Sequence, residues 1–320
     1  MKIGIAGAGN IVPDFLKAQA KVAEIEPFAI CASTRSKERM EGFAAEYGIS
    51  RIYFSYDDML EDPDLEAIYV AVPNHLHYEF SKKALNKGLH VICEKPFCVH
   101  LSELQELKTL AEEKELFLFE AITNQYYPNF AKVKQLLPKI GQVRIVEMNY
   151  TQYSSRYDAF KAGDIKPAFD PAKNGGALND LNVYNIHLTT GLFGRPEKIQ
   201  YFPNMQKGVD TSGILVLQYP DMSCVLIAAK DCCAPCSIRI EGENGYIFSQ
   251  SPSNSLDEFT LSIRKGETKE YHLNQEPERL YHELHVWADK YAEKDYDFFR
   301  KALEHSLIVQ EVLEKAHDSI

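Results

Sequence analysis

Lys2-Ile3-Gly4-Ile5-Ala6-Gly7-Ala8-Gly9-Asn10-Ile11-Val12 is a short apolar run, a glycine-spaced turn and the start of a helical pattern in eleven residues. A buried strand that feeds a Gly-x-Gly turn and then a helix is the context a dinucleotide-binding loop requires. Gly7 permits the tight turn, and Gly9 lets the backbone approach a pyrophosphate at the helix N-terminus. Val12 occupies the third glycine position, so the fingerprint is incomplete. Downstream, β-branched or apolar runs recur at Phe28–Ala32, Ala67–Ala71, His90–Cys93 and Leu116–Ala121. Such runs mark parallel strands buried on both faces. Helical patterns separate them, at Asp14–Val22, Lys37–Tyr47, Tyr78–Asn86 and Glu103–Glu113. Pro13 suits a first helical position and Gly48 and Gly88 suit helix ends, while Ser102 with Gln105 reads as a capping box. This β-α alternation predicts an α/β protein with an N-terminal Rossmann-type, doubly wound parallel sheet.

The rhythm changes near residue 122. A helix is expected over Asn129–Leu137, followed by period-two runs at Gln142–Tyr150, Lys198–Phe202, Gly213–Tyr219, Cys224–Ala229, Ser237–Glu241 and Phe259–Ile263. Turn residues such as Pro220-Asp221 and Glu243-Asn244-Gly245 punctuate them. A C-terminal α/β domain with one large, mostly antiparallel open sheet is expected, closed by helical segments at Leu280–Lys294 and Tyr296–Ala316. The expected domains are 1–122 for the dinucleotide and 123–320 for substrate binding and oligomerisation.

The chain has 320 residues, 45% apolar and 25% charged, with a net charge of −11. That length suits two cores, and that composition a soluble globular protein. The negative charge argues against nucleic acid or an anionic membrane as partner, since both select positive surfaces. No run of about 18 apolar residues is present and the N-terminal residues lack a signal-peptide pattern, so a cytoplasmic location is expected. Seven cysteines in such a chain are expected as reduced thiols. The cluster Cys232-Cys233-Ala234-Pro235-Cys236 lies between two strand-like runs with no second Cys pair or nearby histidine. It is read as structural, and no metal site is expected.

Beyond the second strand, enzymes that use NAD place an acid to bind the ribose 2′-hydroxyl. This chain reads Ala32-Ser33-Thr34-Arg35-Ser36, with no acid until Glu38. Two hydroxyls and a guanidinium suit a 2′-phosphate that a carboxylate would repel. NADP is therefore preferred over NAD, and Asn10, Ile11, Ser33, Thr34 and Arg35 join Gly7 and Gly9 as cofactor contacts. Pro73-Asn74-His75-Leu76-His77 follows another strand. Pro73, Asn74 and His77 are assigned to the ligand crevice outside the strand ends, and His75 to a helix cap. Glu94-Lys95-Pro96 directly follows the strand His90–Cys93. A lysine delivered there can stabilise the charge that develops on oxygen when a hydride leaves or joins its carbon.

With these segments in order, the chain resembles the Gfo/Idh/MocA family of NAD(P)-dependent oxidoreductases. The likeness rests on Gly7-x-Gly9, Pro73-Asn74-x-x-His77, Gly88-x-His90-Val91-x-x-Glu94-Lys95-Pro96 and Glu120-Ala121 before Pro128. It continues through Ile140-Gly141-Gln142-Val143, Gly175-Gly176-Ala177-Leu178-x-Asp180-x-x-x-Tyr184, Val209-Asp210, and Ile240-Glu241-Gly242 with Gly245-Tyr246. It spans nearly the whole chain and points to the branch of dihydrodiol and xylose dehydrogenases and anhydrofructose reductases.

The resemblance implies hydride transfer between a nicotinamide and a hydroxyl or carbonyl carbon of a sugar, polyol or diol-like molecule. By position it makes Lys95, Asp180 and Tyr184 catalytic, with Glu94 and Lys95 beside the cofactor. An Asp180 carboxylate would keep Lys95 charged and oriented, and Tyr184, four residues on, would share its helix face and carry the proton. Gln125 and His187 are expected to join Lys95, Asp180 and Tyr184 in substrate binding. Gln125 stands where many relatives have Arg, which argues against a strongly anionic substrate, and Asn182 replaces a glycine. The family also implies a frequently cis Lys95–Pro96 bond and a homodimer or homotetramer formed through the C-terminal sheet. A different class, an NADP-binding sensor without turnover, is disfavoured because Lys95, Asp180 and Tyr184 are all present.

Overall fold

A computed structural model describes residues Met1–Ile320, which divide into two compact units. The first contains Met1–Ala121 and Glu278–Leu307, and the second contains Ile122–Pro277 and Ile308–Ile320.

The first unit is built on β1 (Lys2–Ala6), β2 (Glu26–Cys31), β3 (Arg51–Tyr53), β4 (Ala67–Val70), β5 (His90–Glu94) and β6 (Leu118–Ala121). All pair in parallel, in the order β3-β2-β1-β4-β5-β6. β4 and β6 are buried along their entire lengths, as continuous apolar runs between two helix layers must be. The connecting helices are α1 (Val12–Gln19), α2 (Lys37–Tyr47), α3 (Tyr56–Leu60), α4 (His77–Asn86) and α5 (Leu101–Glu113). Phe15 of α1 stacks on Tyr69 of β4 at 4.0 Å between ring centroids, which fixes α1 over the sheet. The strand order reverses beside β1, and in open parallel sheets ligands bind outside the strand ends at such a point.

Two elements here escaped the sequence pattern. β3 has three residues, all half-buried, and α3 is only five residues long; neither is long enough to show a period. The cap of α5 also differs from expectation. The helix starts at Leu101, and the Glu103 carboxylate accepts from the backbone N–H groups of Val99 and His100 at 3.1 and 3.0 Å. Glu103 thus takes the reciprocal capping position expected for Gln105, two residues earlier.

The second unit carries β7 (Val143–Thr151), β8 (Lys198–Gln206), β9 (Val209–Gln218), β10 (Ser223–Ala229), β11 (Ser237–Gly242), β12 (Gly245–Ser249), β13 (Phe259–Ile263) and β14 (Thr268–Tyr271). Their order is β14-β13-β12-β11-β7-β10-β9-β8, antiparallel except for the central pair β7 and β10. One face buries Val146, Met148, Leu215, Leu226 and Ile240 against α6 (Pro128–Leu136) and α8 (Val183–Phe193). Between β7 and α8 an excursion carries α7 (Tyr157–Lys161), whose Tyr157 and Phe160 pack with Phe169 and Val209. The opposite sheet face leaves Ile145, Phe202, Ile214 and Tyr246 each more than 40% exposed.

The expected division at residue 122 needs one correction. Beyond the second unit's sheet, the chain returns to complete the first unit with α9 (Tyr281–Ala292) and the start of α10 (Tyr296–Asp318). The reason is aromatic packing. Trp287 is fully buried, stacked on Tyr291 and near Phe119, while Phe299 stacks on Phe117 at 4.1 Å. Helical periodicity revealed these helices but not which sheet their apolar faces cover. No helix is long and apolar enough to cross a membrane.

Candidate active site

In the first unit the site is assembled from the C-terminal ends of β1, β4 and β5. Gly7 adopts φ +120°, and a side chain there would collide with the carbonyl oxygen of Ala71, so the turn after β1 lies directly against the end of β4. Gly9 has only that same oxygen near its missing side chain, at 3.8 Å. This leaves the space a phosphate needs to reach backbone N–H groups at the start of α1. Asn10 is exposed and Ile11 half-buried at the head of the helix. Val12, in the third glycine position, is fully buried and serves as core. The loop therefore fits a dinucleotide by the absence of side chains at two positions and by the helix end behind them.

Ser33, Thr34 and Arg35 form an exposed turn after β2, leading through Ser36 into α2. One helical turn on, Arg39 donates from Nη2 to the carbonyl oxygen of Gly9 at 3.0 Å. Sequence reasoning missed Arg39. Its place in the first turn of the helix that directly follows Arg35 was the available signal. A fixed guanidinium beside the glycine turn and a second on the preceding turn make this corner cationic.

Pro73 is exposed and Asn74 half-buried at the tip of the loop after β4. His77, expected among the cofactor contacts, is buried with Nδ1 2.8 Å from the Pro96 oxygen and Nε2 2.9 Å from the Val72 oxygen. Both ring nitrogens are thus engaged by backbone, and His77 braces the Glu94-Lys95-Pro96 turn from the neighbouring loop. Burial pushes its imidazole pKa down, against the two carbonyls that favour its charge. The Lys95–Pro96 bond is cis, and Lys95 is half-buried. Glu94 is buried and accepts from the Tyr69 hydroxyl at 2.6 Å. Burial raises its pKa, with the Tyr69 hydrogen bond opposing.

In the second unit, the Gly175-Gly176-Ala177-Leu178 segment is explained by crowding. A side chain on Gly175 would strike the Pro167 carbonyl, and one on Gly176, at φ +114°, would strike the Asp210 carboxylate. Asp210 is buried, accepting from the Leu178 N–H and the Tyr201 hydroxyl at 2.7 Å each. Burial pushes its pKa up, and these bonds oppose the rise. Asp210 thereby pins the start of a π-helical turn, Leu178–Asn182, that runs into α8. Single π turns recur at functional sites, and this one carries Asp180 with Tyr184 one turn later.

Asp180 accepts from Lys230 Nζ at 2.7 Å. This lysine, at the end of β10, was not singled out in the sequence. A separation of 50 residues hides the pairing, and a lysine ending an apolar run was the available signal. Tyr184 is buried, its ring 6.1 Å from that of Tyr150, and its carbonyl accepts from Asn124 Nδ2 at 2.8 Å. Gln125 Nε2 donates to the His187 carbonyl at 2.8 Å and to Asn124 Oδ1 at 3.0 Å. Gln125 therefore secures α8, while His187 is fully buried within it. Asn182 is also buried and donates to the Leu226 carbonyl at 3.2 Å, so the residue in the glycine position ties the π turn to β10.

All seven cysteines are free, with Cys232 and Cys233 exposed and Cys236 half-buried. No group of three or more His, Cys, Asp or Glu side chains has a metal-binding arrangement.

Comparison with known proteins bears on both units. Residues 1–122 match the oxidoreductase family with an NAD-binding Rossmann fold, and residues 130–248 match the GFO/IDH/MocA C-terminal domain. The chain is 31% identical over 318 residues to the scyllo-inositol 2-dehydrogenase (NADP(+)) IolU of Bacillus subtilis, covering 99% of this chain and 96% of that protein. It is 26% identical to the trans-1,2-dihydrobenzene-1,2-diol dehydrogenase of Bos taurus, covering 97% of this chain and 91% of that one. Among solved structures, the 3-ketoreductase KijD10 from Actinomadura kijaniata, in complex with NADP and TDP-benzene, superimposes with a TM-score of 0.87. The identity is 21%, and the match covers 100% of this chain and 97% of that one. At that identity the likeness is one of fold.

Proposed function

Because the chain belongs to the Gfo/Idh/MocA family of NAD(P)-dependent oxidoreductases, we propose that it transfers a hydride between NADP(H) and a hydroxyl-bearing or carbonyl carbon of a polyol, sugar or diol-like molecule. The carrying observation is the cofactor corner of the first unit. A glycine turn with room for phosphate meets Arg39, fixed at 3.0 Å from the Gly9 carbonyl, and the turn after β2 presents Ser33, Thr34 and Arg35 with no carboxylate among them. That chemistry favours a 2′-phosphate, hence NADP. Identity of 31% along nearly the whole chain to an NADP-dependent inositol dehydrogenase supports a neutral polyol substrate, and Gln125 in place of a cation agrees with it.

Bound NADP supplies the hydride acceptor or donor. The chain's own residues manage the charge and the proton. Lys95 places an ammonium against the oxygen that becomes an alkoxide as hydride leaves its carbon. Tyr184 exchanges the proton through its phenol, and Asp180 orients Lys95 and keeps it charged. The apolar open face of the second unit's sheet supports assembly into a homodimer or homotetramer.

The test is NADP reduction and NADPH oxidation across polyols including scyllo-inositol, sugars, trans-diols and dicarbonyls. Lys95→Ala and Tyr184→Phe are expected to lower kcat by roughly 10²–10⁴-fold, the range for lost acid–base or oxyanion help, with NADPH binding intact. Retained turnover in both variants refutes the assignment.

A further inference from the structure

We propose that Lys230 is a positioning residue of this reaction, a buried ammonium that holds the Asp180 carboxylate ionised and in one orientation. The inference rests on the reading of Asp180 given above, and every residue it involves belongs to the second unit. Lys230 Nζ donates to Asp180 Oδ2 at 2.7 Å and to the Ala168 carbonyl at 2.5 Å, and lies 4.5 Å from the centre of the Phe169 ring. Its side chain is 3% exposed, while that of Asp180 is 34% exposed. The lysine is thus enclosed and the aspartate is not: the pair has one end sealed in protein and the other open.

The backbone makes this a rigid mount. Lys230 closes β10 by donating its N–H to the Thr211 carbonyl at 2.8 Å and accepting from the Ser154 N–H at 2.9 Å. The Ala168 carbonyl that receives Nζ also receives the Gly176 N–H at 3.2 Å, and the Gly176 carbonyl accepts from the Asp180 N–H at 3.1 Å. One network therefore ties the ammonium to both the side chain and the backbone of the turn that bears Asp180. Two acceptors and a ring face serve the three N–H groups of the ammonium in a place closed to water.

Stability alone is a poor reason for such a pair. Removing two charges from water is costly, and apolar replacements of buried ion pairs are often neutral or stabilising. What the pair provides is a carboxylate whose charge and direction are set before any substrate arrives, which is the preorganisation that catalysis at an oxygen centre uses.

The test is a double-mutant cycle on the intact chain, with the best substrate of the panel above: wild type, Lys230→Gln, Asp180→Asn, and both together. Lys230→Gln retains a hydrogen-bonding side chain without the charge; Lys230→Arg restores the charge. We expect Lys230→Gln to lower kcat about 10- to 100-fold, the scale of a misaligned catalytic group, with NADPH affinity unchanged. We expect Lys230→Arg to recover part of that loss and Lys230→Gln to have no further effect in the Asp180→Asn background. Equal factors in both backgrounds, or full kcat in Lys230→Gln beside an impaired Asp180→Asn, overturn the role of Lys230. Full turnover in Asp180→Asn instead overturns the reading of Asp180 itself. A Lys230→Gln protein that does not fold leaves Lys230→Arg and Lys230→Met/Asp180→Asn to decide. Unimpaired kcat in Lys230→Met/Asp180→Asn, or lower kcat in Lys230→Arg than in Asp180→Asn, refutes the proposal, and the converse pair of results supports it. No turnover by the wild type with any panel member refutes the enzymatic premise and this inference with it.

Discussion

Replacing Arg35 or Arg39 with alanine removes one guanidinium from the corner proposed to hold a 2′-phosphate, and the size of the effect follows from where each sits. A hydrogen bond to a charged group contributes about 1.5–3 kcal/mol. Both arginines are exposed, so solvent and salt screen them and the low end applies. About 1.4 kcal/mol is tenfold in Kd, so Arg35→Ala is expected to weaken NADPH roughly tenfold and leave NADH within about twofold. Arg39 does a second job, donating to the Gly9 carbonyl at 3.0 Å. Its loss frees the glycine turn as well, so Arg39→Ala is expected to cost NADH about two- to threefold and NADPH about 20- to 30-fold. The two arginines would share one phosphate, so the double variant should fall between ~30- and ~200-fold, short of the simple product. Fluorescence titration with NADPH and NADH, at low ionic strength and again at about 0.5 M salt, reads these values; the preference for NADPH should shrink with salt. Equal loss of NADH and NADPH affinity in Arg35→Ala rules out a 2′-phosphate contact by Arg35, because a residue whose sole cofactor contact is that phosphate cannot weaken a cofactor that lacks it.

Other outcomes follow from single features. Gly7→Ala forces a side chain into the Ala71 carbonyl at φ +120°; it should cost roughly 2 kcal/mol or more in urea unfolding and weaken both cofactors alike, and an unshifted midpoint counts against the geometry. Glu283 is buried, and its pKa is raised well above 4.5 by burial first and then by Glu94 and Glu120, with Arg279 opposing. The folded state therefore holds a proton the unfolded state has released, so stability declines as pH rises from about the ordinary glutamate value upward. Glu283→Gln should flatten that decline from the ordinary glutamate range upward, and parallel wild-type and variant curves would exclude it. Phe202 and Ile214 are register partners on the open sheet face, so Phe202→Asp with Ile214→Asp is expected to yield monomers by sedimentation; an unchanged assembly would place the interface elsewhere.

How much of this was legible in the sequence depended on the distance over which each feature is determined. Buried parallel strands such as Ala67–Val70 announce themselves because both faces must be apolar. The glycine turn and the Gly175-Gly176 pair were visible because a missing side chain is itself a residue type. β12 and β14 were not: Gly245–Ser249 mixes both kinds of residue, and β14 is an edge strand of four residues, three of them exposed. The roles of Gln125 and His77 could not be read either, since each depends on backbone carbonyls supplied by other elements. Nor could the pairing of Asp180 with Lys230, because an ion pair across 50 residues leaves no local pattern at either end.

The return of Glu278–Leu307 to the first unit imposes an order in time. A chain emerging from the ribosome presents Phe117 and Phe119 long before Trp287 and Phe299, the residues that cover them, have been made. With roughly 170 residues to translate in between, at about 5–20 residues per second, the sheet waits some ten to thirty seconds with an aromatic flank uncovered. During that interval the second unit's own sheet is being synthesised, so the nucleotide-binding half, first to be translated, is among the last to be finished.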